Sequence, residues 1–125
     1  MDKNFKKSAL ISVYDKHGIE KIAKKLNDLN IRIISTGGTE KHLSELGFEI
    51  EKVENLTDYP SIFGGRVKTL HPKIFGGILH RRENKNDSDE KTEYEIPPIS
   101  IFSIISSCDL ASFTVFSKGY KSTIT

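Results

Sequence analysis

The sequence predicts an α/β domain, a parallel sheet flanked by helices, and three observations carry that reading. Two short apolar runs rich in β-branched residues, Ser8 to Tyr14 and Ile31 to Ile34, have the length and composition of buried strands. Between them Ile19, Ile22, Ala23, Leu26 and Leu29 recur at helical spacing, with Glu20, Lys21, Lys24, Lys25 and Asp28 on the opposite face. The connections are short, and strands alternating with amphipathic helices favour parallel pairing through right-handed crossovers. In such sheets ligands sit beyond the carboxyl ends of the strands.

Taken in order, the first strand is broken by Asp15-Lys16-His17-Gly18, and the first helix runs from Ile19 to Leu29. Asn30 stands where a left-handed residue closes a helix. The second strand leads into Ser35-Thr36-Gly37-Gly38-Thr39, after which helix-forming residues begin. Two readings of this turn stand side by side. It is a phosphate seat, with glycines that let a ligand approach the main chain and a helix N-terminus that offers free N–H groups. Alternatively the glycines merely turn the chain and Thr39 is the N-cap. Lys41 to Leu46 reads as a short helix stopped by Gly47, and the alternation in Phe48 to Val53 reads as an edge strand.

The segment Tyr59 to Arg82 contains no acidic residue, while Arg66, Lys68, Lys73, Arg81 and Arg82 are basic. Gly64-Gly65 and Gly76-Gly77 frame its centre, and Pro72 sets the start of a helix ending near Arg82. A guanidinium and an ammonium in a glycine-framed loop suit a phosphate, the first as a bidentate fork and the second as a mobile point charge.

Composition bounds the function. A chain of 125 residues, 36% hydrophobic and 29% charged, fits one globular domain with its own core. A formal charge of +2 does not argue for nucleic acid or a membrane surface, and the basic run has little aromatic interleaving beyond Phe63 and Phe75. The single cysteine, Cys108, rules out an internal disulfide and makes a reducing cytoplasm the expected compartment. The apolar run after Lys3, Lys6 and Lys7 is too short for a signal peptide, no stretch approaches a membrane span, and the four histidines share no metal-ligand spacing.

Three motifs in order carry a family resemblance: Ala9-Leu10-Ile11-Ser12-Val13-Tyr14-Asp15-Lys16 with Gly18; Ser35-Thr36-Gly37-Gly38-Thr39; and Gly65-Arg66-Val67-Lys68-Thr69-Leu70-His71-Pro72-Lys73 with Gly76-Gly77-Ile78-Leu79. Ser8 to Ile99 resembles the N-terminal IMP cyclohydrolase domain of the bifunctional purine biosynthesis enzymes, which join a formyltransferase and a cyclohydrolase in one chain. The resemblance implies the methylglyoxal-synthase-like three-layer fold. It implies ring closure of a formamido-imidazole carboxamide ribonucleotide to IMP, the last step of de novo purine synthesis. Ser12, Tyr14, Asp15 and Lys16 would line the substrate site, Thr36, Gly37, Gly38 and Thr39 would hold the 5′-phosphate, and Arg66, Val67, Lys68 and Thr69 would form a second binding loop. Lys68 would also polarise the reacting groups. The step needs no metal or cofactor, folate belonging only to formyl transfer, and the full-length family implies a homodimer. Methylglyoxal synthase itself would need paired aspartates and a histidine in motifs that this chain lacks.

After Ile99 the resemblance stops, where the family would continue with an aspartate, an apolar strand and then Asn-Leu-Tyr-Pro-Phe. From Pro97 onward only Asp109, Lys118 and Lys121 are charged, and Ser100 to Ile105 is the one hint of a strand. The expectation is therefore a cyclohydrolase-like part, 1–99, incomplete at its C-terminus, and a divergent tail, 100–125, of the kind a reading-frame change or a natural divergence produces. The formyltransferase domain and the family's downstream tyrosine, aspartate and lysine have no counterpart, and Leu10, Ile11 and Ile33 should be poorly covered. A non-catalytic nucleotide- or phosphate-binding module of the same fold is the alternative function. Lys68 and Arg66, expected to lack acidic partners, should act on bound nucleotide and contribute little to stability.

Overall fold

Strand β1 (Ser8–Val13) runs between two neighbours, which is why its run of apolar residues is nearly continuous. The computed structural model describes residues 7–65, 67–105, 113–117 and 120–124; Arg66 and Cys108 lie outside the described residues. The remaining elements are α1 (Ile19–Asp28), β2 (Arg32–Ser35), α2 (Gly37–Glu45), β3 (Ile50–Lys52), α3 (Val53–Thr57), α4 (Pro72–Leu79), α5 (Lys85–Glu93), β4 (Ile99–Ile105), β5 (Phe113–Ser117) and β6 (Tyr120–Ile124). Four strands pair in the order β3-β2-β1-β4, all parallel, with Ile11 beside Ser35 and Ile33 beside Ile50. β5 and β6 form a separate antiparallel pair that the sequence pattern had not suggested.

The alternation of side chains along β1 divides the core in two. Ala9, Ile11 and Val13 pack with Ile19, Ala23, Leu26, Ile33 and Leu43, so α1 and α2 cover one face. Leu10 and Ile34 pack with Val53, Ile74 and Ile99, so α3 and α4 cover the other. The result is the expected three layers, helix on sheet on helix. Leu10, Ile11 and Ile33, expected to be poorly covered, are buried instead. β4 completes the second side of β1, and each face of the sheet has its helices.

Local chemistry explains the boundaries. α1 ends in a Schellman motif: Asn30, with φ of 54°, donates to the Asn27 carbonyl, and Ile31 donates to that of Leu26. α2 ends the same way, Gly47 donating to Ser44 and Phe48 to Leu43. That bond draws Phe48 out of the expected strand Phe48 to Val53, and the other end is lost because Val53 opens α3. α2 also starts earlier than expected, at Gly37 and not Lys41.

α5 has no apolar stripe, and none of its residues is buried, so sequence periodicity could not reveal it. Polar contacts hold it in place. The Asn84 side chain caps it by accepting from the Asp87 N–H. Asp87 in turn takes a bidentate bond from the Arg81 guanidinium, Nε to Oδ2 at 3.0 Å and Nη2 to Oδ1 at 2.7 Å, as well as the Arg81 N–H. At the start of β4, a Cβ on Gly77 would lie 2.4 Å from the Pro97 carbonyl oxygen, so only glycine lets α4 pack this close.

Two outcomes test this account. Leu10→Ala should lower the urea-unfolding free energy by about 2–5 kcal/mol, as for other fully buried leucines, and a loss below 1 kcal/mol would contradict the core assignment. The Arg81 hydrogen bonds hold the Asp87 carboxyl down at about 2, against the ordinary 3.8. A depressed carboxylate stabilises the fold above its unfolded pKa and loses that contribution as pH falls through the folded value. An NMR titration should find the Asp87 midpoint near 2, returning toward 3.8 in Arg81→Gln.

Candidate functional site

The parallel register sets the ends of β1 and β2 side by side, and the loops that follow them share one rim. Hydroxyls stitch this rim together. Ser35 Oγ donates to the Ile11 carbonyl at 2.7 Å, and Ser12 Oγ shares a hydrogen bond of 3.1 Å with Thr36 Oγ1. Thr39 Oγ1 accepts from the Val13 N–H and donates to the Val13 carbonyl, both at 3.1 Å. Thr39 is therefore not the N-cap of α2. Thr36 holds that position in an extended conformation, and the Thr39 side chain ties the first turn of α2 to the end of β1.

Helix geometry leaves the N–H groups of Gly37, Gly38 and Thr39 without intrahelical acceptors, at the positive end of the α2 dipole. Gly37 needs its glycine, since its φ is +48°. Two lysines converge on this point. A Cβ on Gly38 would lie 3.4 Å from Lys16 Cε and 3.6 Å from its Nζ. One on Gly37 would lie 3.6 Å from Lys68 Nζ. Lys16 also donates to the Tyr14 carbonyl at 3.2 Å. The Lys68 side chain lies across Gly65, where a Cβ would come within 2.6 Å of Lys68 Cε, and φ there is +81°. The glycine frame of the basic loop thus makes room for its lysine.

Lys68 has an acidic partner, contrary to the sequence reading. Its Nζ donates to Glu54 Oε1 at 3.2 Å, both side chains being half-buried. The acid comes from α3, ahead of the acid-free segment, so a count within the segment misses it. Further along, Arg81 pairs with Asp87, and Arg82 donates to the Ile99 carbonyl.

The other sequence-predicted residues take varied places. The Asp15 carboxylate accepts from the His17 N–H at 2.9 Å and shapes the loop after β1. Tyr14 is 87% exposed. Val67 is exposed, Thr69 is half-buried, and Arg66 lies outside the described residues. Among the described residues no three His, Cys, Asp or Glu side chains cluster to hold a metal, and no helix is long and apolar enough to cross a membrane.

Residues 18–119 match the MGS-like domain family. The chain belongs to that family. Curated relatives of this MGS-like domain include the bifunctional purine biosynthesis protein PurH of Bacteroides thetaiotaomicron, 53% identical over 95 residues, and that of Clostridium acetobutylicum, 52% identical over 95 residues. Each match covers 76% of this chain and 19% of the relative, so the chain spans about a fifth of the length of these proteins. The crystal structure of ForH superposes with a TM-score of 0.71 at 40% identity, covering 78% of this chain and 50% of that one.

Thr39→Val should destabilise the domain by about 1–3 kcal/mol, because it leaves both Val13 backbone groups unpaired in a buried setting. Denaturant unfolding reads the loss, and an unchanged midpoint would show that the clasp between β1 and α2 contributes nothing.

Proposed function

We propose that this MGS-like domain holds the phosphate of a purine-precursor ribonucleotide and belongs to an IMP cyclohydrolase-type enzyme, which closes 5-formamidoimidazole-4-carboxamide ribonucleotide to IMP. One observation carries the reading: the ammonium groups of Lys16 and Lys68 converge on Gly37 and Gly38 at the N-terminus of α2. A phosphate seated there would meet backbone donors, the helix dipole and two cations together.

In the proposed arrangement Thr36, Gly37, Gly38 and Thr39 receive the 5′-phosphate, Thr39 through its N–H since its hydroxyl is engaged with Val13. Ser12, Tyr14, Asp15 and Lys16 line one side of the nucleotide, and Arg66, Val67, Lys68 and Thr69 the other. The likeness to PurH proteins at about half identity supports assigning these roles. In the reaction the carboxamide nitrogen attacks the formyl carbon and a carbon–nitrogen bond forms. The resulting carbinolamine then loses its oxygen with two protons as water. Both reacting groups belong to one molecule, so holding them in contact and stabilising charge on the formyl oxygen accounts for much of the acceleration. No redox or group-donating cofactor enters the balance.

A ring-closure assay with the formylated ribonucleotide, run beside calorimetric titration with IMP, tests the proposal. Turnover together with IMP binding supports the enzyme reading. Binding without turnover identifies a nucleotide-binding module instead. Lys16→Ala should weaken IMP binding about tenfold, the loss typical of a charge-assisted hydrogen bond, and unaltered affinity would remove Lys16 from the site.

A further inference from the structure

Lys68 Nζ, from the basic loop, lies 3.2 Å from Glu54 Oε1 and 3.6 Å from where a Cβ on Gly37 would stand. The lysine is thus held between an acid and an anion seat. Glu54 sits on a firm base, because α3 is anchored by buried Val53 and Thr57 on either side of it. Of the other acids on this rim, Glu40 in the first turn of α2 lies 3.8 Å from Lys52 Nζ and is bonded to Ser44 Oγ, and Asp15 accepts from the His17 N–H. The seat's second lysine, Lys16, rests on a backbone carbonyl.

We propose that Glu54 is the built-in counter-ion of the seat: it holds Lys68 in place in the free protein and yields the ammonium to an arriving phosphate. Two ammonium groups and a positive helix end repel one another, and a carboxylate at hydrogen-bond distance relieves that repulsion until an anion takes its place. A phosphate dianion competes well for the ammonium, whereas a weaker anion does not displace the carboxylate. Glu54 thereby sets the strength an anion needs to occupy the site. Its action runs through Lys68, so it is a positioning residue. The inference rests on the reading that a phosphate group binds at Gly37 and Gly38.

The test titrates inorganic phosphate into the full chain by calorimetry, comparing wild type, Glu54→Gln, Lys68→Met and the double variant. Glu54→Gln should bind phosphate roughly two- to fivefold more tightly, the range expected on releasing a partly exposed ion pair. In the Lys68→Met background the same substitution should change nothing, since the cycle isolates effects that pass through Lys68. Weaker or unchanged binding in Glu54→Gln overturns the inference, as does a gain that persists in full without Lys68. A second readout needs no variant. On addition of phosphate, the Glu54 carboxyl and Lys68 Cε carbon resonances of the wild-type chain should move together, and a stationary Glu54 resonance while Lys68 moves overturns the exchange. Phosphate binding that is absent, or indifferent to Lys16→Ala, refutes the proposed function along with this inference. Binding that depends on Lys16 but gains nothing from Glu54→Gln refutes the inference alone.

Discussion

The hydroxyl of Thr39, bonded to both the N–H and the carbonyl of Val13, is the constraint on which the site depends. It fixes the first turn of α2 against the end of β1, and the parallel register of β1 with β2 then sets the loops after both strands on one rim. A helix N-terminus that could swing freely would offer its N–H groups to water. Tied down at Thr39, with Ser12 and Thr36 linked beside it, this one points a fixed set of donors at one place. Such preorganised donors would meet the proposed phosphate without the cost of reorienting.

The same economy of polar contacts governs the charges. Among the described residues, each cation around the seat has a rest position: Lys16 on the Tyr14 carbonyl, Lys68 on Glu54, Lys52 near Glu40. These contacts are individually weak, as exposed or half-exposed pairs are. Their value lies in placement. Lys68 can reach Gly37 because Gly65 has no side chain to block it, and because α3 presents Glu54 where the ammonium must stand. A backbone constraint and an ion pair thus cooperate to bring a residue from a distant loop to the helix terminus.

Much of this was legible in the sequence because it rests on periodicity and on residues with one strong preference. The helical spacing of Ile19, Ala23 and Leu26 and the β-branched run through Ile34 reflect burial directly, and the three-layer fold followed. Asn30 closed α1 as its tolerance of left-handed backbone suggests. What could not be read was tertiary. Glu54 looks like an ordinary helix residue until α3 packs beside the basic loop, and Thr39 looks like a cap until β1 lies next to it. α5 has no apolar stripe to announce it, being held by Asn84 and the Arg81–Asp87 pair. The burial of Leu10 draws on Ile99 at the start of β4, just where the motif pattern ends.

Backbone amide NMR of the full chain, titrated with IMP and with inosine, tests the central claim most directly. The nucleotide should produce saturable shifts centred on the Gly37, Gly38 and Thr39 amides, and the nucleoside, lacking the phosphate, should leave those amides in place. Shifts centred elsewhere, or equal responses to nucleotide and nucleoside, would contradict a phosphate seat at the start of α2.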